Sequence, residues 1–200
     1  VACLVQRPGS EELLGNRTVE VFYGQVTNPS ALKNIFYLVD VVVHLVGIIR
    51  EKGNCTFDLI NNHGTKNIVA AAKEQGVKRF VHISAVGAGP NTSFPYLHSK
   101  WMGEQQVVRS GIPYTILQPS IQFGKGDEFI NTLAGLVRAF PVVPVLGSGR
   151  NLFQPIAVEE LAQCVVNVAG LDEYTGHIMA LGGPDVLTYN EILDIISETY

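Results

Sequence analysis

Apolar residues in this chain fall into short unbroken runs, separated by stretches in which they recur three or four positions apart. Residues 1–5 (VACLV), 19–23 (VEVFY), 40–46 (DVVVHLV), 80–83 (FVHI) and 114–117 (YTIL) have the length and β-branched content of strands. The longest run, from Val41 to Ile49, is broken only by His44 and reads as a strand buried on both faces. Between 57 and 75, Leu59, Ile60, Ile68, Val69 and Ala72 recur at helical spacing, and Gly76 is placed to end that helix. A further helix is predicted from Tyr96 to about Arg109, and a short one near Glu11 to Leu14. The sequence GQVTNPSALKNIF predicts a turn and then a helix capped by Ser30. Strands alternating with helices predict an α/β fold with a doubly wound parallel sheet and right-handed crossovers. Pro119 should stop the fifth strand. Gly and Pro become frequent between 140 and 155, where a smaller lobe is expected to begin. Residues 1–120 are therefore read as the core, and 121–200 as a mixed segment holding the last core elements and that lobe.

Composition narrows the function. The chain has 200 residues, 46% hydrophobic and 16% charged, which suits one large core rather than disorder. Its 14 basic and 18 acidic residues, net −4, are scattered, and the absence of a basic run argues against nucleic acid and for a small-molecule ligand. No stretch of about 18 apolar residues predicts a membrane span. Cys3, Cys55 and Cys164 lack metal-ligand spacing and are expected to be buried thiols in a reducing, cytoplasmic compartment. The five histidines do not cluster either, so no metal is assigned. His44 and His82 sit on predicted strands, where hydrogen-bonded core histidines are expected.

Chemistry concentrates between 78 and 104, KRFVHISAVGAGPNTSFPYLHSKWMGE. Ser84 leaves a strand at its C-terminal end, where open α/β sheets bind ligands. Tyr96 and Lys100 are four apart, so on a helix both project from one face. Taken singly, such a serine is a turn or cap residue and such a pair is common in helices. Their order after a strand resembles the Ser, Tyr-x-x-x-Lys site of the short-chain dehydrogenase/reductase superfamily, in its extended and atypical branches. The resemblance implies a Rossmann-like fold and roles for all three residues. Tyr96 would give or take the proton of a substrate hydroxyl or carbonyl, helped by Lys100, since a free tyrosine has a pKa of about 10. Lys100 would also hold the nicotinamide ribose, and Ser84 would orient the substrate oxygen.

Three other segments carry the same resemblance. VVVHLVGI resembles the strand whose tip meets the cofactor, implying contacts at Val46 and Gly47. Asn61-x-x-Gly64-Thr65-x-Asn67 is similar to the family's Asn-x-x-Gly-Thr helix start, where the Asn has a structural role. Pro119-x-x-x-Phe123-Gly124 resembles the segment bordering the nicotinamide carboxamide, implying cofactor contacts at Pro119 and Ser120. Phe123, Arg150 and Gln154 match the region where extended members contact substrate. Asp127 and Glu128 are expected in a solvated loop. At the end of the first strand an acidic residue would select NAD and an arginine the 2′-phosphate of NADP. Here it is Arg7, so NADP is expected, with NAD as the alternative. Gln25 stands where the family has Asp, and an amide can still bond the adenine edge.

LVGIIRE, NNHGTKNIVAAAKEQGVKRFVHISA and LQPSIQFGKGDEFIN resemble most the atypical group related to the 39 kDa accessory subunit of respiratory complex I. Three functions follow: an NAD(P)-dependent oxidoreductase or epimerase acting on a small carbonyl or hydroxyl compound such as a nucleotide sugar; a non-catalytic NADPH-binding accessory or assembly subunit, peripheral to a membrane complex; and an NADP-sensing regulator. The chain departs from the family in lacking the Gly-x-x-Gly-x-x-Gly pyrophosphate loop and its preceding strand. The expectation is a fragment preceded by about 30 residues that contain both. In the strand order 3-2-1-4-5-6 the missing strand would lie between residues 1–5 and 40–46. Its loss would split the sheet, and the chain alone is expected either to fold poorly or to close the gap by pairing residues 1–5 directly with 40–46.

Overall fold

The computed structural model describes residues 1–199 apart from 16, 34, 141, 142, 144 and 146. In chain order it places β1 at Ala2–Val5, β2 at Glu20–Tyr23, β3 at Val41–His44, α1 at Thr65–Glu74, β4 at Arg79–Ile83, α2 at Pro95–Val108 and β5 at Tyr114–Pro119. After these come β6 at Gln122–Phe123, α3 at Phe129–Ala139, β7 at Leu152–Phe153, β8 at Ile156–Ala157, α4 at Val158–Gly170, β9 at His177–Leu181, β10 at Leu187–Thr188 and α5 at Tyr189–Thr199. The main sheet is parallel, in the order β3-β4-β5-β9, with His44 opposite His82 and His82 opposite Ile116. A separate parallel pair, β1-β2, runs from Ala2 opposite Glu20 to Val5 opposite Tyr23.

Alternation along β4 divides the core between two faces. Phe80 joins Val42, Ile116, Ile68, Val69, Ala72 and Val107 on the side of α1 and α2. Val81 and Ile83 join Leu117 and Val168 on the side of α4. Helices thus cover both faces, as a doubly wound sheet requires. A third cluster, Leu133, Ala134, Ile192 and Ile196, packs α3 against α5 apart from the sheet. Within the stretch where a lobe was expected to begin, positions 141, 142, 144 and 146 lie outside the described residues.

Between β1 and β3 lies an open cleft of about 1590 Å³, walled by Ala2, Cys3 and Leu4 on one side and Val41, Val43 and His44 on the other. The two strands share no hydrogen-bonded ladder, and among the described residues no strand stands between them. The sheet is split there, and the direct pairing expected as a way of closing the gap is not what the structure shows. It also corrects the reading of 41–49 as buried on both faces: the strand ends at His44, Val43 is 39% exposed to the cleft, and Leu45 is 66% exposed.

Other expectations are corrected locally. Asn28 caps the 3₁₀ turn Pro29–Leu32, its side chain accepting from the Ser30 N–H, so Ser30 is the residue capped. Pro119 does not stop β5 but closes it, with its carbonyl accepting from the Val86 N–H; at a strand end a missing N–H costs little. The expected helix at 57–75 begins as a π-helix, Asp58–Gly64, before α1. The cysteines are not buried: Cys55 is exposed, and Cys3 and Cys164 are half-buried.

Arg79 ties the sheet to the α4–β9 connection. Its buried guanidinium donates to the carbonyls of Val168 (2.8 Å) and Leu171, to Thr175 Oγ1 (2.7 Å) and to the exposed Asp172 (2.5 Å). Arg79→Met should destabilise the protein by about 2–4 kcal/mol, because it strips carbonyls of their donors at on the order of 1–3 kcal/mol each. Asp172→Asn should cost little, since that carboxylate is in water. Urea unfolding of both variants checks this, and equal effects would mean that the ion pair rather than the carbonyl contacts matters.

Candidate functional site

The C-terminal ends of β3, β4 and β5 and the first turns of α2 meet at one place. Ser84 follows β4, is 4% exposed, and donates its N–H to the Leu117 carbonyl at 2.7 Å, while its hydroxyl has no partner among the described residues. Lys100 on α2 is 6% exposed and donates from Nζ to the carbonyl of Ile83, the residue before Ser84, at 2.8 Å. Tyr96, one turn earlier on α2, is half-buried with its ring 5.7 Å from Phe57. Gly47 lies beyond the tip of β3. A Cβ there would stand 3.2 Å from Lys100 Nζ and 3.3 Å from Asn61 Oδ1, so only glycine lets the loop pass this close without displacing a neighbour.

Asn61 fixes that loop. It accepts from the Ile48 N–H at 2.9 Å, donates to the Ile48 carbonyl at 3.1 Å and to Ser99 Oγ at 2.9 Å, joining the loop, the π-helix and α2. The fit of α2 against this helix depends on Gly103, where a Cβ would meet the Asn61 carbonyl at 2.5 Å. The structural role implied for Asn61 is thus visible as hydrogen bonds.

Burial governs the electrostatics. It pulls the Lys100 ammonium down to about 8, against an opposing pull from Glu104, which itself accepts from Gln118 at 2.8 Å. Burial also raises the Tyr96 phenol above its ordinary value. The sign for Lys100 follows from linkage. Its folded value, about 8, lies below its unfolded 10.5, so between these pH values the unfolded chain holds more protons and stability rises with pH. Below pH 8 the full penalty, about 3 kcal/mol, is present. The unfolding free energy of wild type relative to Lys100→Met should therefore rise by about 2–3 kcal/mol from pH 7 to 10.5. A flat difference in paired denaturation curves would contradict the buried ammonium.

The other candidate residues are more scattered. Arg7 and Gln25 are exposed just beyond β1 and β2, adjacent parallel strands that end side by side. Glu11, the nearest acid after Arg7, is engaged with the Gly9 N–H and the Tyr23 hydroxyl, both at 2.7 Å. Val46 is exposed beside Gly47, and Pro119 and Ser120 lie at the end of β5, where the Ser120 N–H donates to the Leu181 carbonyl. Phe123 lines a small hollow of about 240 Å³ with Pro155, Ala157, Glu160, Pro184 and Leu187. Gln154 is turned onto the Gly183 carbonyl at 2.7 Å, and Arg150 is exposed. Asp127 starts α3 by accepting from the Ile130 N–H at 2.6 Å. Glu128 pairs at 3.3 Å with Arg50 of the Gly47 loop, both side chains being largely exposed. Sequence reasoning did not find Phe57 beside Tyr96, nor the unpartnered ring of His82. The first has no local signal, and only the lone polar residue within FVHI hints at the second.

Comparison with known proteins bears on this geometry. Residues 1–128 match a family described as NAD(P)H-binding. The mitochondrial NADH dehydrogenase [ubiquinone] 1 alpha subcomplex subunit 9 of Arabidopsis thaliana is 29% identical over 168 residues, covering 83% of this chain and 42% of that protein. The ceramide reductase of Caulobacter vibrioides is 28% identical over 174 residues, covering 85% of this chain and 55% of that protein. The chain thus spans roughly half the length of these relatives. The structure of MoeE5 in complex with UDP-glucose and NAD superimposes with a TM-score of 0.79 over the whole chain and 73% of MoeE5, at 19% identity. With the family match running through β1 to the start of α3, and the fold shared with Rossmann-type short-chain dehydrogenases, the chain belongs to the NAD(P)H-binding family.

Proposed function

We propose that the protein is an NADP(H)-dependent oxidoreductase or epimerase acting on a small carbonyl or hydroxyl compound, a nucleotide sugar being the substrate class to test first. The observation that carries this reading is the convergence of the unpartnered Ser84 hydroxyl and the Lys100 ammonium at the end of β4, one helical turn from Tyr96. The residues present suit a dinucleotide: Gly47 keeps the β3 tip clear of side-chain bulk, and Arg7 and Gln25 end adjacent strands. Arg7 would take the 2′-phosphate, Gln25 the adenine edge, Val46, Gly47, Pro119 and Ser120 would border the cofactor, and Lys100 would hold the ribose. The bound dinucleotide supplies or accepts the hydride. Tyr96, its phenol raised by burial, is protonated at neutral pH and so is set to donate to a carbonyl oxygen. Ser84 orients that oxygen, and Phe123, Arg150 and Gln154 are the residues to probe for substrate contact.

Absorbance at the reduced nicotinamide for net oxidoreduction, and product analysis for epimerisation, in which the hydride is returned and absorbance shows no net change, test the proposal over a panel of nucleotide sugars and small ketones. Substrate-dependent change supports it; dinucleotide binding with no turnover across the panel sinks it. The cofactor preference has its own test. Arg7→Ala should weaken NADP binding by about tenfold, one charge-assisted contact, and leave NAD unchanged; equal losses would remove Arg7 from the phosphate site.

A second reading is favoured by the similarity to a complex I subunit. On it, the chain is an accessory element that holds NADPH without turnover, peripheral to a membrane assembly. Among the described residues no helix is long and apolar enough to cross a membrane itself.

A further inference from the structure

Two residues before Ser84, on the same face of β4, lies His82. It is 1% exposed, and neither ring nitrogen has a hydrogen-bond partner among the described residues. Its ring stacks on that of His44, its direct cross-strand neighbour, at 5.3 Å and 18°. His44 is fully specified. Thr65 Oγ1 donates to the Asn61 carbonyl at 2.7 Å, so at 3.0 Å it can only accept from His44, whose Nε2 must carry the proton. That neutral form agrees with burial, aided by nearby Lys100, lowering His44 to about 3. Burial, then His44 and Lys100, push His82 well below the usual histidine range, so it too is a neutral ring with one donor and one acceptor.

His82 therefore has two polar atoms to satisfy, and Ser84, two residues on, has a third. The carbonyl between them, that of Ile83, is already taken by Lys100 at 2.8 Å. Buried polar atoms are rarely left alone, and an ordered water is the usual partner of those that protein groups do not reach. We propose that a buried water bridges the His82 ring and the Ser84 hydroxyl, making His82 the positioning residue that fixes the direction of the Ser84 proton. The water donates one hydrogen to the bare His82 nitrogen and the other to Ser84 Oγ. The Ser84 hydrogen is then left to point outward, toward an oxygen in the site. The bridge stands on the geometry alone; its effect on turnover rests on the role proposed for Ser84.

The test separates the two. In protein labelled with ¹⁵N at histidine, the His82 ring should appear as a single neutral tautomer from pH 5 to 9. Its bare nitrogen should be hydrogen-bond shifted, and its ring should show a cross-peak to a long-lived water. Ser84→Ala should move that nitrogen's resonance and abolish or displace the water peak. An unperturbed nitrogen in Ser84→Ala, or no water peak in wild type, overturns the proposal whatever the enzyme assay shows. In the assay, His82→Phe should lower kcat by about tenfold with dinucleotide affinity unchanged, and His82→Gln should restore part of the loss, as for one hydrogen bond. If the spectra hold and no substrate turns over, the function reading fails and the bridge survives. Should His82→Phe not fold, the Ser84→Ala spectra decide alone.

Discussion

Replacing Tyr96 with Phe should cut turnover by about 10²–10⁴-fold, the usual worth of a positioned acid or base, and leave dinucleotide affinity nearly intact. The substitution removes one hydroxyl and keeps the ring that packs on Phe57, so the local structure has little reason to change. The phenol's raised pKa makes the expectation directional. Reaction in the sense that needs Tyr96 as a proton donor should be level through neutral pH and fall only in strongly alkaline solution, beyond the ordinary tyrosine range. The reverse sense, which needs the phenolate, should rise with pH. In this structure the Lys100 ammonium is turned to the Ile83 carbonyl, and burial dominates the tyrosine. A bound oxidised nicotinamide would supply, through its positive charge, a lowering of the phenol in the oxidative direction. Equal rates for wild type and Tyr96→Phe would transfer support to the accessory-subunit reading.

The second large effect concerns the cleft. Studied as these 200 residues, the protein should hold NADP more weakly than about 100 μM, and the amides of β1 and β2 should exchange orders of magnitude faster than those of β4 and β5. The argument is one of location. Arg7 and Gln25 follow the β1-β2 pair, whereas Gly47 and Ser120 follow strands of the four-stranded sheet and Lys100 lies on α2 beside it, and no hydrogen-bonded ladder crosses between the two sheets. A dinucleotide reaching both would have to order them against each other, and that cost is subtracted from affinity. Because the cleft is open, water can reach the facing backbone groups, and the main loss is apolar burial: side chains such as Val43 forgo part of the roughly 1.5–3 kcal/mol that full burial provides. Micromolar binding by these residues alone would defeat the argument, as would strong protection of β1.

Features that sequence revealed are those written locally. The interiors of β3, β4 and β5 are continuous apolar runs because both neighbours and both layers press on them, and each was found within one to three residues. Tyr96 and Lys100 are related by one turn of a single helix, so their spacing survives any error in tertiary reasoning. The strand β9, by contrast, was not anticipated: HIMAL lies at the sheet edge, where Ile178 is 45% exposed, and it lacks the signature of a strand pressed on all sides. The π-helix was read as ordinary helix because DLINNHG supports no distinct period, and what selects it is the pull of Asn61 and Asn62 toward Ile48, Ser99 and Gln106. Arg79 was invisible for a related reason, since its partners are about 90 residues away along the chain. His82 looked like a routine core histidine, and only the placement of its neighbours shows that, among the described residues, its ring nitrogens have no partner.

The contact between Arg50 and Glu128 joins the Gly47 loop to the start of α3 through two charges that stand largely in water. Such a pair adds little to stability and is screened within about 10 Å at moderate salt. Salt therefore loosens this one tie between the rim's two sides, while the loop itself stays anchored by the Asn61 hydrogen bonds, which screening does not reach.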